Sequence, residues 1–120
     1  IQILGSMNES EIVDVLLQSD IYCQTSHIEN SPNSLCEAMM LGMPIVATAV
    51  GGTCSLFDDK EGAILVQDNA PLDMCSAIIE LLHSLEFKND CRQSTRKQAL
   101  ERHSPRDIIS KLLATYKEVI

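Results

Sequence analysis

Basic residues are almost missing from most of this chain: among residues 1–87, Lys60 is the only lysine or arginine. Over all 120 residues, 9 lysines and arginines stand against 17 aspartates and glutamates, for a net charge of -8. That balance argues against nucleic acid as a partner, because affinity for a polyphosphate backbone depends on clustered cations. Long apolar runs are lacking too. None approaches the roughly 20 residues that cross a bilayer, and no basic stretch followed by an apolar one opens the chain, so no signal peptide is expected. The five cysteines (23, 36, 54, 75 and 91) are an odd set without short paired spacing, which indicates neither a zinc site nor a disulfide framework. Cys23 and Cys75 fall in apolar patterns and are expected as buried thiols in a reducing compartment, with the cytoplasm as the natural location. His27, His83 and His103 are far apart with no ligand-like spacing, and Asp58-Asp59 has no third oxygen ligand spaced to join it, so no metal is expected.

What remains is an ordinary globular composition, 45% hydrophobic and 22% charged, and one dense polar segment. Glu29 and Glu37 flank Asn30-Ser31-Pro32-Asn33-Ser34-Leu35-Cys36. The segment reads as a polar loop delivering one carboxylate, a helix start, and a second carboxylate within the helix. The N–H groups of Asn33, Ser34 and Leu35 would lack intrahelical partners and sit at the positive end of the helix dipole, which suits phosphate oxygens. Carboxylates repel phosphate but accept two hydrogen bonds from vicinal hydroxyls, so Glu29 and Glu37 suit sugar or ribose rings. A nucleotide sugar combines these groups. The competing reading is structural: Ser34-x-x-Glu37 fits a capping box, although Pro32 favours the first helical position and would make Ser31 the cap.

The rest of the chain alternates. Asn8-x-x-Glu11 can cap a helix with Ile12, Val13, Leu16 and Leu17 on one face, ending near Ser19-Asp20. Strands are expected at Ile1–Leu4, Ile21–Gln24, Ile45–Thr48 and Ala63–Val66, with helices between them. Gly42 is placed to stop the Glu37 helix in a left-handed conformation, and Gly51-Gly52 allows close backbone approach to a ligand or positive φ. Asp68-Asn69 and Pro71 mark a helix whose stripe Leu72, Cys75, Ile79 and Leu82 is expected in the core. A polar helix from about Asn89 to Arg102 reads as a solvated face. The last helix, about 104–119, starts at Ser104-Pro105 and is amphipathic through Ile108, Ile109, Leu112, Leu113, Tyr116 and Val119. An α/β fold follows, an open parallel sheet with flanking helices.

Glu29 to Glu37, the run Glu37-Ala38-Met39-Met40-Leu41-Gly42-Met43-Pro44-Ile45-Val46-Ala47-Thr48, and Gly51-Gly52 together resemble the donor-binding segment of retaining GT-B glycosyltransferases of the family-4 (glycosyl transferases group 1) type. Ile3-Leu4-Gly5-Ser6, Asp20-Ile21-Tyr22 and Glu61-Gly62-Ala63-Ile64-Leu65-Val66 resemble the flanking elements, so the similarity covers nearly the whole chain. One departure stands out: the family's Gly-Phe-Gly-like run after the first glutamate is replaced by Asn30-Ser31-Pro32-Asn33-Ser34.

The resemblance implies a Rossmann-like C-terminal domain of a GT-B fold, present only in part, with its first strands missing and its sheet entered midway. It implies Glu29 as the catalytic-site residue on the donor-sugar hydroxyls and Glu37 on the ribose. Asn33, Ser34 and Leu35 would lie on the diphosphate, Met7 and its neighbours near the base, and Gly51 and Gly52 beside the donor. The diphosphate's arginine and lysine would precede Ile1. The expected activity is sugar transfer from a nucleotide diphosphate sugar to an acceptor hydroxyl in glycan or polysaccharide biosynthesis, with no cofactor or metal. The acceptor glycan or lipid-linked glycan, and any membrane contact, would be met through the missing N-terminal domain, and the 120 residues alone would be inactive. Two other readings are compatible with the residues: a nucleotide-sugar epimerase on the same scaffold, or a non-catalytic Rossmann-like interaction module. Donor base, donor sugar and acceptor leave no signature here.

Overall fold

The computed structural model describes residues 1–57 and 62–119; Asp58, Asp59, Lys60 and Glu61 lie outside the described residues. In chain order the elements are α1 (Glu9–Gln18), β1 (Tyr22–Gln24), α2 (Asn33–Met40), β2 (Ile45–Thr48), a 3-10 turn (Gly51–Leu56), β3 (Ala63–Val66), α3 (Pro71–His83), α4 (Leu85–Arg102) and α5 (Pro105–Val119). The strands form one parallel sheet in the order β1-β2-β3, with Tyr22 beside Ile45 and Ile45 beside Ala63. The open parallel sheet is therefore present, with the strand at 45–48 and the strand at 63–66 where the apolar runs put them.

The core is built around β2, all four residues of which are buried. Ile45 and Ala47 pack with Leu35, Ala38 and Met39 of α2 on one face. Val46 packs with Val66, Ala77, Leu81 and Cys91 on the other. A strand covered on both faces reads as a continuous apolar run rather than an alternating one, which is the pattern of Ile45-Val46-Ala47. Helix α4 packs against both α2 and α3 and so ties the two layers together.

Local chemistry sets the helix ends. Asn8 and Glu11 form a reciprocal capping box, the Asn8 N–H donating to Glu11 Oε2 at 2.8 Å and the Glu11 N–H to Asn8 Oδ1 at 3.1 Å. After α2, Gly42 takes φ +68°. Its N–H donates to Met39 O at 2.9 Å and the Met43 N–H to Ala38 O at 3.0 Å, the paired bonds of a Schellman stop.

Four expectations fail. Ile1–Leu4 forms no strand: it has no ladder partner among the described residues, and Ile3 is 92% exposed. The stripe Leu72, Cys75, Ile79 and Leu82 faces solvent, Leu72 at 80% exposure. Helix α3 is apolar on most sides, so helical spacing offered two stripes; the one that docks on the sheet is Met74, Ala77, Ile78 and Leu81. Cys23 and Cys75 are both exposed, whereas Cys91 is the buried thiol. Cys23 aligns with Val46 on the α3 side of the sheet, and α3 packs chiefly over β2 and β3. Helix α4, finally, begins at Leu85 and is not merely a solvated face, since Cys91, Thr95, Gln98 and Ala99 are buried. That stripe is made of small and polar residues, whose burial hydropathy does not register. The Thr95 hydroxyl lies 3.1 Å from Met43 O and 2.9 Å from Cys91 O. Helix α5 has no buried residue, so its apolar face is open. No helix among the described residues is long and apolar enough to cross a membrane.

The two faces of α3 can be separated by experiment. Leu81→Ala should lower the unfolding free energy by about 2–5 kcal/mol, the usual cost of a cavity in a packed core, while Leu82→Ala should stay within about 0.5 kcal/mol. Urea unfolding of the two variants beside wild type measures both; equal losses would mean that the outer stripe is covered.

Candidate functional site

The parallel strands point their carboxyl ends the same way, the end at which open α/β sheets bind ligands. Beyond β1 the chain forms the loop that carries Glu29. Its carboxylate is held through one oxygen: Oε1 accepts from Gln24 Nε2 at 3.2 Å and from Ser26 Oγ at 2.7 Å. Among the described residues Oε2 carries no hydrogen bond, and Glu29 is half-buried. The loop is anchored to β2 by the Thr48 hydroxyl, which donates to Ser26 O at 2.5 Å.

Gly51 and Gly52 lie directly behind this loop. The Gly52 N–H donates to Glu29 O at 3.2 Å. A Cβ on Gly51, which has φ +49°, would fall 1.7 Å from Glu29 O, and one on Gly52 would fall 1.6 Å from Asn30 O. The close approach that these glycines permit is thus between two stretches of backbone, and it holds the carboxylate-bearing loop in place.

Helix α2 begins without a side-chain cap. Pro32 occupies the N-cap position and makes no side-chain hydrogen bond. Both capping alternatives are excluded: Ser31 is not the cap, and Ser34 and Glu37 do not form a capping box. The first backbone bond of the turn is from Cys36 N–H to Pro32 O, which leaves the N–H groups of Asn33, Ser34 and Leu35 outside the helical ladder. Leu35 is fully buried and anchors this helix start in the core, while Asn33 and Ser34 are exposed. The Tyr22 hydroxyl donates to Ser34 Oγ at 3.0 Å and lies 3.3 Å from Gln24 Oε1. Burial pushes the Tyr22 phenol above its ordinary range, so it stays protonated. Ser34, Tyr22, Gln24 and Glu29 thereby form one chain of polar contacts from helix start to carboxylate.

Glu37 is exposed and lies in a groove of about 380 Å³ between α1 and α2, with Glu9, Ile12, Val13, Met40 and His103 among its walls. His103 Nε2 is buried and has no hydrogen-bond partner among the described residues. Met7 is half-buried just before α1. Tyr22, Gln24 and Ser26 carry no site role in the sequence reading, and His103 enters it only as a rejected metal ligand. The alternation Tyr22, Gln24 on one face of a strand leading to Glu29 is the signal that could have found the first two. Among the described residues no cluster of three or more histidine, cysteine or acidic side chains could hold a metal.

The sequence profile described as glycosyl transferases group 1 matches residues 1–98. The phosphatidylinositol N-acetylglucosaminyltransferase GPI3 subunit of Saccharomyces cerevisiae is 29% identical over 112 residues, covering 93% of this chain and 22% of that protein. Sucrose-phosphate synthase from Thermosynechococcus elongatus superposes with a TM-score of 0.87 at 19% identity, covering 98% of this chain and 30% of that one. Anabaena HepE, solved in complex with UDP-glucose, gives a TM-score of 0.77 at 19% identity, over 88% of this chain and 30% of that one. The chain spans 22–29% of the length of the curated relatives it matches.

Gly52→Ala should force the Glu29 loop away from β2. Overpacking of this kind costs about 1–3 kcal/mol, and amide NMR shifts should move at residues 29–31. Cys54→Ala, at an exposed position of the same turn, serves as the control. Unchanged stability and unchanged shifts in Gly52→Ala would show that the loop does not rest on the glycines.

Proposed function

The chain belongs to the glycosyl transferases group 1 family, and from that premise we propose that it is the donor-binding part of a retaining glycosyltransferase that moves a sugar from a nucleotide diphosphate sugar to an acceptor hydroxyl in glycan biosynthesis. The observation that carries this reading is the half-restrained carboxylate. Glu29 is fixed by Gln24 and Ser26 through Oε1, so Oε2 is free to accept hydroxyl protons of the donor sugar without paying the rotamer entropy of an unrestrained side chain. The Oε1 contacts set its direction; the ligand adds to them rather than competing with them.

The other groups follow by chemistry. The N–H groups of Asn33, Ser34 and Leu35 meet the diphosphate and stabilise the charge that grows on the leaving phosphate as the glycosidic bond breaks. Glu37 accepts the ribose hydroxyls, and the apolar groove beside it takes the nucleoside, with Met7 near the base and His103 Nε2 as a further polar contact. Gly51 and Gly52 act by holding the Glu29 loop. Arg96 is committed to Met40 O at 2.7 Å and Lys88 to Asp20, so neither is offered to the phosphates. The complex of Anabaena HepE with UDP-glucose supports a nucleotide-sugar donor, and the glycosyltransferase relatives support transfer rather than epimerisation. The acceptor, cytoplasmic placement and any membrane contact belong to the same proposal.

In the full-length enzyme, Glu29→Ala and Glu37→Ala should each lower kcat/KM by about 10- to 150-fold, the equivalent of about 1.5–3 kcal/mol for a charged hydrogen bond. Thermal unfolding should stay near wild type, and the product anomer, read by proton NMR, should keep the donor's configuration. Variants that transfer at the wild-type rate, or a product of inverted configuration, would defeat the assignment. Transfer should also persist in excess chelator, because helix-start donors take the electrostatic role that a metal plays in other phosphate sites. Activity abolished by chelator and restored by magnesium or manganese would contradict this.

A further inference from the structure

Tyr22 and Ser34 meet at the start of α2. The Tyr22 ring packs against the core that holds Leu35 and Met39, and its backbone N–H donates to Pro44 O at 2.9 Å, which fixes the residue to the edge of β2. An aromatic body held in this way leaves its hydroxyl as a polar handle at a set position. That hydroxyl donates to Ser34 Oγ at 3.0 Å, while Gln24 Oε1 at 3.3 Å is the longer and weaker contact, so the single phenol proton goes to Ser34. Among the described residues the Ser34 hydroxyl makes no other hydrogen bond, and its own proton has no acceptor. We infer that Tyr22 is a positioning residue for the diphosphate, holding Ser34 so that the serine hydroxyl donates to a phosphate oxygen beside the helix-start N–H groups; the word diphosphate rests on the function proposed above.

The proton count points to an anion. A serine hydroxyl has one proton and two lone pairs. With one lone pair filled by Tyr22, the Ser34 proton turns away from the phenol, and the residue is exposed. The N–H groups of Asn33, Ser34 and Leu35 lie at the same end of α2, so the hydroxyl adds a fourth donor to three, and a group that only accepts hydrogen bonds matches all four. A phosphate that accepts from Ser34 also makes its oxygen a better acceptor for Tyr22, so the two bonds strengthen each other. Scarcity of cations raises the weight of each neutral donor: Lys60 is the only lysine or arginine among residues 1–87. Burial, which raises the phenol above its ordinary range, keeps the Tyr22 proton in place.

The ordinary uses of a serine at a helix do not account for Ser34. It is not the cap, since Pro32 holds that position. Nor does its hydroxyl donate back to a carbonyl of its own helix, as Ser19 does to Val15 O and Ser76 to Leu72 O. Its one partner comes from a neighbouring strand. Tyr22 and Gln24 alternate onto the same face of β1, and Gln24 Nε2 donates to Glu29 Oε1 at 3.2 Å. One strand thus orients both the carboxylate proposed for the donor sugar and the hydroxyl proposed for the phosphate.

Titration calorimetry and phosphorus NMR on the full-length protein test this without requiring turnover. The probes are UDP, GDP and ADP, with uridine, guanosine and adenosine as phosphate-free comparisons. At least one diphosphate should bind the wild type. Its Kd should rise about tenfold in Ser34→Ala and about fivefold in Tyr22→Phe, the range of a hydrogen bond to a charged group at an exposed position. The double variant should bind no more weakly than Ser34→Ala, because the two hydroxyls act as one unit. Ser34→Thr, which keeps the hydroxyl, should stay within about threefold of wild type, and the phosphorus resonances of the bound diphosphate should shift in Ser34→Ala and Tyr22→Phe. The matching nucleoside should bind all variants alike. Equal losses for nucleoside and diphosphate would make Tyr22 a structural residue and overturn the inference. Wild-type diphosphate affinity in Ser34→Ala and Tyr22→Phe, with binding weakened in Glu37→Ala, would overturn it while leaving the nucleotide-sugar reading intact. If none of the three diphosphates binds the wild type, that reading fails and the inference falls with it.

Discussion

Complete burial of β2 is the constraint on which everything else depends. Four residues with no exposed face must be covered twice, by α2 on one side and α3 on the other. Because the two helices cannot reach each other through the sheet, α4 runs against both. It approaches closely enough that a Cβ at Gly62 would lie 2.9 Å from Thr95 N. The loops that leave the carboxyl ends of β1, β2 and β3 are thereby mounted on a fixed platform. Functional groups carried on loops gain precision from such a scaffold.

On that platform the polar residues around Glu29 form a continuous network rather than a set of separate contacts. Ser34, Tyr22, Gln24, Glu29, Ser26 and Thr48 link the start of α2 to the end of β2. A half-buried carboxylate needs such partners, since leaving buried polar groups unpaired is costly. Glu37 is not spent on capping, and Glu29 is fixed through one oxygen while the other stays open, so both retain accepting capacity for a ligand.

Much of this was legible in the residues. The buried strand Ile45–Thr48, the stop at Gly42, the capping box at Asn8 and Glu11 and the proline start of α3 all follow from short-range chemistry. What escaped was decided at long range. Leu72 and Leu81 are alike in hydropathy, and only the docking of α3 on Val46 and Val66 separates them. The buried stripe of α4 is made of Cys91, Thr95, Gln98 and Ala99, which pattern reading passes over because their burial depends on close backbone approach rather than on apolar bulk. Ile1–Leu4 has strand-like composition, but a strand exists only through a ladder partner. Around the site, Glu29 and Glu37 were visible by spacing; Gln24, Ser26 and His103 were not, because their partners are set by how three loops converge.

The loop that carries Glu29 has a thermodynamic consequence. Ser26 is bonded to Glu29 through its side chain and to Thr48 through its carbonyl, so a ligand on the Glu29 carboxylate that displaces Ser26 works against both bonds. By linkage, whatever factor a loosening of the Thr48 contact imposes on that ligand's affinity is returned in equal measure by the ligand to the contact.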